Sequence, residues 1–193
     1  MIVNGEDASA QTARSEGRGG YVYAYLDDVG SVVTPGPGNF KMSAGGAAGS
    51  SYALRIQGKT ADAGDSAYVG LGLNFVDPQA LYDASRYDGL AFVARRGPGS
   101  STSLRLKLPD ASTHPDGGTC KECFNDFGVD FQLTEEWTRY VVRFADLKQM
   151  FGWGDPRPEH VDAAKLFGVQ FQVSQAGSDF DVWIDDVTFT GCP

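Results

Sequence analysis

Residues 180–189 read Phe-Asp-Val-Trp-Ile-Asp-Asp-Val-Thr-Phe, a run whose side chains alternate with a period of two. Phe180, Val182 and Ile184 share one face, and Trp183, Val187 and Phe189 share the other. A strand that is apolar on both faces belongs inside a sheet covered on two sides, so this run demands a layered β architecture. In unbroken register Asp185 points with Trp183 and Val187 into apolar surroundings, where an isolated charge is very costly. Its carboxylate must then be paired, hydrogen-bonded to backbone or bound to a metal. The alternative is a β-bulge at Asp185 and Asp186 that turns one acid to solvent.

The rest of the chain repeats this period. Tyr21, Tyr23 and Tyr25 alternate with Val22, Ala24 and Leu26; Tyr52, Leu54 and Ile56 alternate with Arg55 and Gln57. Val69, Leu71, Leu73 and Phe75 oppose Tyr68, Gly70, Gly72 and Asn74. Further runs are centred on Phe92, Leu106, Phe131, Val142 and Phe171. About nine such runs, separated by Gly- and Pro-rich turns, predict one antiparallel β-sandwich of the jelly-roll kind, all-β with little helix, over residues 1–193. Helical turns are expected only near residues 78–84, 145–150 and 161–165. The first twenty residues read as a loosely held arm or short edge strand. The long Gly/Pro segment at residues 27–50 reads as a functional loop or a carrier of a short strand near Phe40.

The polar faces carry the functional signal. Gly70 and Gly72, between Tyr68 and Asn74, remove side chains from one sheet surface and can open a groove there. An ordinary solvated sheet face is the plainer reading. The sharper one is a platform on which rings stack against sugar faces while Arg, Gln and Asn side chains bond hydroxyls. Charge is compatible with that: a net charge of −9 argues against nucleic acid, which needs a basic face, and disfavours anionic membranes. It leaves neutral ligands and hard cations. No apolar run is long enough to span a bilayer, and no basic region and apolar core of the kind a signal peptide carries follow Met1.

The three cysteines are Cys120, Cys123 and Cys192. The first two close a short loop in a Gly-rich segment, which reads as a disulfide in an oxidising compartment and leaves Cys192 as a lone thiol. The rival is a metal site of Cys120, Cys123, His114 and Cys192.

Several segments together resemble bacterial jelly-roll carbohydrate-binding modules, family eleven being the nearest by motif. They are Gly17-Arg-Gly-Gly-Tyr21, Gly49-Ser-Ser-Tyr-Ala53, Gly70-Leu-Gly-Leu-Asn-Phe75, Tyr82-Asp-Ala-Ser85 with Tyr87-Asp-Gly-Leu90, Cys123-Phe-Asn-Asp-Phe-Gly128, Gly152-Trp-Gly154, Gly168-Val-Gln-Phe-Gln172 and residues 180–186. Two positions depart from the pattern: Val22 stands where the resemblance calls for Trp, and Phe127 where it calls for His. The resemblance implies a module of a larger secreted bacterial protein, with a polysaccharide or oligosaccharide of the β-glucan type as its partner. Tyr21, Tyr23, Tyr25, Tyr68 and Trp153 are the candidates for stacking, and Arg55, Gln170 and Gln172 for hydroxyls. A Cys120 to Cys123 disulfide would hold Asn125 and Asp126 at the rim. It further implies a structural calcium ion held by Asp185 or Asp186, with oxygens of Asn4, Glu6 and Asp7 pinning the first and last strands together.

Catalysis on such a fold needs a paired acid and base. Asp181 and Asp185 have a suitable spacing but lie in a packing strand, and Glu135 and Glu136 precede Trp137 at a turn. His114 and His160 both sit in Pro-rich loops. The expectation is a non-catalytic binding module; a glycosidase or lyase, or an assembly domain on the same fold, are the alternatives.

Overall fold

The computed structural model describes residues 1–191, so the expected lone thiol, Cys192, lies outside the described residues. Eleven strands are formed: β1 (Val22–Leu26), β2 (Val32–Thr34), β3 (Ser43–Ala44), β4 (Tyr52–Lys59), β5 (Val69–Asn74), β6 (Gly89–Arg96), β7 (Ser103–Leu108), β8 (Phe127–Gln132), β9 (Thr138–Arg143), β10 (Gly168–Val173) and β11 (Asp179–Thr190). They build two antiparallel sheets, one in the order β1-β5-β10-β7-β8 and the other β2-β4-β11-β6-β9, with β3 added beside β4. This is a jelly-roll sandwich. Among the described residues the only helices are single 3₁₀ turns, none long and apolar enough to cross a membrane.

The expected helical turn at residues 78–84 is absent; there Tyr82 pairs with Leu166 as a lone β-bridge. A 3₁₀ turn at Phe144–Asp146 stands at the edge of the second predicted site, and residues 161–165 make a non-helical turn. The N-terminal arm is not loose at its start. Ile2 and Val3 donate backbone hydrogen bonds to the Val187 carbonyl and are buried. The long segment carries two short strands, Val32–Thr34 before Phe40 and Ser43–Ala44 beyond it.

As its two apolar faces require, β11 is internal, paired with β4 on one side and β6 on the other. Its acid pair satisfies both readings at once. The register with β6 slips between Asp185 and Thr188, Asp186 takes a positive φ of 50°, and Asp185 remains fully buried. The bulge also corrects the predicted faces. An extra residue reverses the alternation beyond it, so Phe189 falls on the core side with Ile184 instead of the outer side with Trp183. There it stacks on Tyr87 at 4.4 Å and packs on Phe75 at 5.3 Å.

The core lies between the sheets. Leu71, Leu73, Leu104, Leu106 and Phe171 of one sheet meet Leu54, Ile56, Phe92, Val182 and Ile184 of the other. Val22 and Phe127, the two positions that depart from the resemblance, belong to this core and not to either outer face. Phe171 touches Phe92 edge to face at 5.0 Å. Truncating Phe171 to Ala should therefore cost about 3–5 kcal/mol in denaturant unfolding. Val141→Ala, at an exposed position on β9, should stay within about 0.5 kcal/mol. Similar losses at the two sites would mean that the core had been assigned to the wrong face.

Candidate functional site

The five-stranded sheet turns toward solvent the residues that its core does not use, and pairing aligns them in rows across the strands. One row is Tyr23, Gly72, Gln170, Lys107 and Gly128; the next is Tyr25, Gly70, Gln172, Arg105 and Asp130. Tyrosines thus line β1, glycines β5, amides β10 and basic side chains β7, with Gly128 and Asp130 of β8 closing the rows.

Gly70 and Gly72 do not open a groove. A Cβ on Gly72 would lie 2.3 Å from Cζ of Tyr23, and one on Gly70 would lie 2.4 Å from Cζ of Tyr25. The tyrosine rings lean over the glycines from β1, and the missing side chains are their seats. With Tyr21 and Tyr68 they make a strip whose successive ring centroids are 6.0, 6.1 and 6.3 Å apart. Tyr21 and Tyr68, at the ends, are the most exposed. Beside Tyr21 and Tyr23 the strip runs into an open trough of about 650 Å³, walled also by Gln11, Gly38 and Phe40. The long Gly/Pro loop therefore contributes to this face.

Leaning across β5 brings the phenols to the amides of β10. Gln170 donates from Nε2 to the Tyr23 hydroxyl at 3.1 Å, and the Tyr25 hydroxyl donates to Gln172 Oε1 at 3.3 Å. Burial pushes the Tyr23 phenol up to about 12, and burial raises Tyr25 well above its ordinary range; the Asp126 carboxylate acts the same way on both. Both are neutral hydrogen-bonding groups at any physiological pH. Among the described residues Gln170 Oε1 has no donor and the Tyr23 O–H proton no acceptor. That pairing suits a hydroxyl, which donates one bond and accepts others.

Lys107, which sequence reasoning missed because its strand reads as an ordinary solvated one, stands next in the row. Its Nζ meets Asp126 Oδ2 at 3.0 Å, Gln172 Oε1 at 3.3 Å and the Phe124 carbonyl at 3.4 Å. Asp126 is 2 % exposed, so it lies beneath the surface and addresses the face through Lys107. The predicted rim position thus becomes a supporting one.

The rim itself is two loops clasped together. Cys120 and Cys123 form the disulfide, which removes the rival metal site. Asn125 then holds the second loop with its side chain, donating to the carbonyls of Met150 at 2.9 Å and Trp153 at 2.6 Å and accepting from the Met150 amide at 2.8 Å. Glu122 accepts from the Gly154 amide at 2.8 Å. Trp153 is partly exposed on this rim.

Arg55 is a correction. It lies on β4, in the other sheet, where it forms a two-pronged pair with Asp181 at 2.8 and 2.9 Å and covers Trp183 at 4.3 Å. A sandwich points the outer faces of its sheets in opposite directions, so Arg55 cannot share a surface with the tyrosines. The predicted metal residues are partly assembled. Asp185 accepts backbone N–H groups of Ala47 and Asp186 at 2.9 and 2.8 Å. Burial, then Asp185 and Glu6, raise the Asp186 carboxyl above its usual range. Asn4 is joined to the same corner through Ser50, whereas Asp7 turns back to the Ser9 amide at 2.7 Å.

No protein-family model and no curated protein sequence matches the chain. Solved structures do, and the class they define is the β-sandwich of carbohydrate-binding modules. The chain is similar to a family 11 carbohydrate-binding module from Clostridium thermocellum in complex with a β-1,3-1,4-mixed-linked tetrasaccharide, with a TM-score of 0.64, 13% identity and 89% of each chain covered. It is similar to a family 30 carbohydrate-binding module, with a TM-score of 0.60, 14% identity, and 97% of this chain and 98% of that one covered. An exo-β-agarase matches over 100% of this chain and 25% of its own length, with a TM-score of 0.57 and 13% identity.

The buried phenols make a measurable signature. A folded-state value above the ordinary 10.0 for tyrosine means that the unfolded chain ionises first. Stability from these groups is complete below pH 10 and is lost as pH rises from there toward 12. In an absorbance titration, Tyr23 and Tyr25 should ionise only with alkaline unfolding, after the exposed tyrosines. A single transition near pH 10 for all tyrosines would show that the strip is not seated as described.

Proposed function

We propose that this chain is a non-catalytic module that binds a neutral polysaccharide of the β-glucan type on the outer face of its five-stranded sheet. The observation that carries the reading is the strip of four tyrosine rings, its two central ones seated on glycines, with the amides of Gln170 and Gln172 alongside. Ring faces bury the C–H surfaces of a sugar, while amides and phenols exchange bonds with its hydroxyls. The shared fold with modules of families 11 and 30 supports the reading. The reading implies secretion as part of a larger polysaccharide-directed bacterial protein, an oxidising setting in which the disulfide persists.

An open face gains little per sugar once side chains are ordered, so dissociation constants of about 1 µM to 1 mM are expected. Isothermal titration against β-glucans, xylan and mannan should show binding that is insensitive to salt, because the ligand is neutral. Tyr68→Ala and Trp153→Ala should each weaken it by about three- to tenfold. No binding to any of the three, or a steep salt dependence, would refute the reading.

The corner of Asp185, Asp186 and Glu6 is proposed to hold calcium. Its oxygens are the hard donors that ion takes, and no basic side chain among the described residues pairs with any of the three acids. No group of three or more His, Cys, Asp or Glu side chains among them is placed to hold a metal by itself. Asn4 and main-chain oxygens would have to complete the set. Millimolar calcium should then raise the melting temperature above that in chelator. Equal melting temperatures would dismiss the ion.

A further inference from the structure

Of the twelve phenylalanines, only two are exposed: Phe151 at 95 % and Phe124 at 57 %. They do not lie on separate parts of the surface. Phe124 precedes Asn125, and Phe151 sits between Met150 and Trp153, the two residues that Asn125 clasps. Met150 is itself exposed and Trp153 partly so. Four large apolar side chains therefore crown one pair of adjoining loops. Exposed apolar clusters of this kind mark contact sites more often than chance placement.

Nor is the crown slack. The disulfide closes the loop just before Phe124, Glu122 and Asp155 pair as a β-bridge, and Arg157 reaches the Met150 carbonyl at 3.3 Å with its guanidinium 5.7 Å from the Phe151 ring. A braced backbone leaves only the side-chain rotamers to be ordered on binding. Their position is equally specific. The Phe124 carbonyl accepts from Lys107, and Arg105 donates to the Lys148 carbonyl at 2.9 Å, so both rows of the sheet face end against these loops.

We propose that Phe124 and Phe151, with Trp153, form a second apolar wall that receives the same glycan chain after it has crossed the strands from the tyrosine strip. This rests on the glycan-binding reading above and adds a direction to it: the chain lies along the rows, across β5, β10 and β7, and not lengthwise on β1. Long chains touch both ends of the face, and short ones only one.

The test is titration of mixed-linkage β-1,3-1,4-glucan, its tetrasaccharide and a β-linked glucose disaccharide against wild type, the double variant Phe124→Ser/Phe151→Ser, and Tyr68→Ala. Both phenylalanines are exposed, so the double variant should melt as the wild type does, which thermal unfolding checks first. Its affinity for polymer and tetrasaccharide should fall about three- to tenfold, while the disaccharide is unaffected. Tyr68→Ala should weaken all three. Wild-type affinity of the double variant for every ligand, alongside a weakened Tyr68→Ala, overturns this inference and leaves the platform standing. The same unchanged affinity with loss of a self-association seen in wild type assigns the crown to protein contact instead. If the wild type binds none of the three, both readings fall.

Discussion

The architecture depends on how one strand accommodates a buried carboxylate. β11 is hydrogen-bonded on both edges, and Asp185 within it is fully buried with no route to water. The chain places Asp185 where the backbone can supply its bonds, from Ala47 of a distant loop and from Asp186 at the bulge. Glycine is required around it. Cβ atoms on Gly5 and Gly46 would fall 2.7 and 2.6 Å from the Asp185 oxygens, so both loops approach closely because they lack side chains. The N-terminal arm, the loop before β4 and the last strand are thereby locked at one corner.

That corner has a consequence for the whole second half of β11. The extra residue of the bulge reverses which side chains face inward, carrying Phe189 into contact with Phe75, Tyr82 and Tyr87. Arg18, its side chain fully buried, lies over the rings of Tyr82 and Phe189 and pairs with Glu16 at 2.8 Å. The arm is thus held at two points, by a buried acid at one and a buried base at the other. Each charge is met by specific bonds, Arg18 through both terminal nitrogens while its Nε has no partner among the described residues.

The opposite sheet shows the same logic used for a surface instead of a core. Glycine at two positions of β5 lets the Tyr23 and Tyr25 rings lean in where side chains would have stood, and the phenols then find the β10 amides. The result is an apolar pavement with a polar seam, pre-formed and largely hydrogen-bonded. The charged pair of Lys107 and Asp126 stiffens the seam without giving the face a net charge. Modules of about 13% identity reach the same sandwich, because alternation and turn chemistry specify the layers whereas the surface rows vary freely.

What the sequence determined by itself was whatever depends on a period of two. The sandwich, the internal position of residues 180–189, and the shared face of Tyr21, Tyr23 and Tyr25 along their strand, like that of Gln170 and Gln172 along theirs, follow from alternation, which needs no knowledge of neighbours. The short disulfide loop was legible for a similar reason, since spacing alone brings Cys120 near Cys123. Which strands share a sheet is another matter, because pairing joins residues far apart in the chain. That is why Arg55 was grouped with tyrosines that point the other way, and why Lys107 and the two exposed phenylalanines went unnoticed. Only tertiary structure decided that Gly70 and Gly72 are seats for rings and not a groove, since the atoms filling that space belong to a strand some fifty residues away in sequence. The bulge was half legible: the acid pair Asp185 and Asp186 marked where an insertion could fall, but only the partner strand shows that it occurs and reverses the faces beyond it.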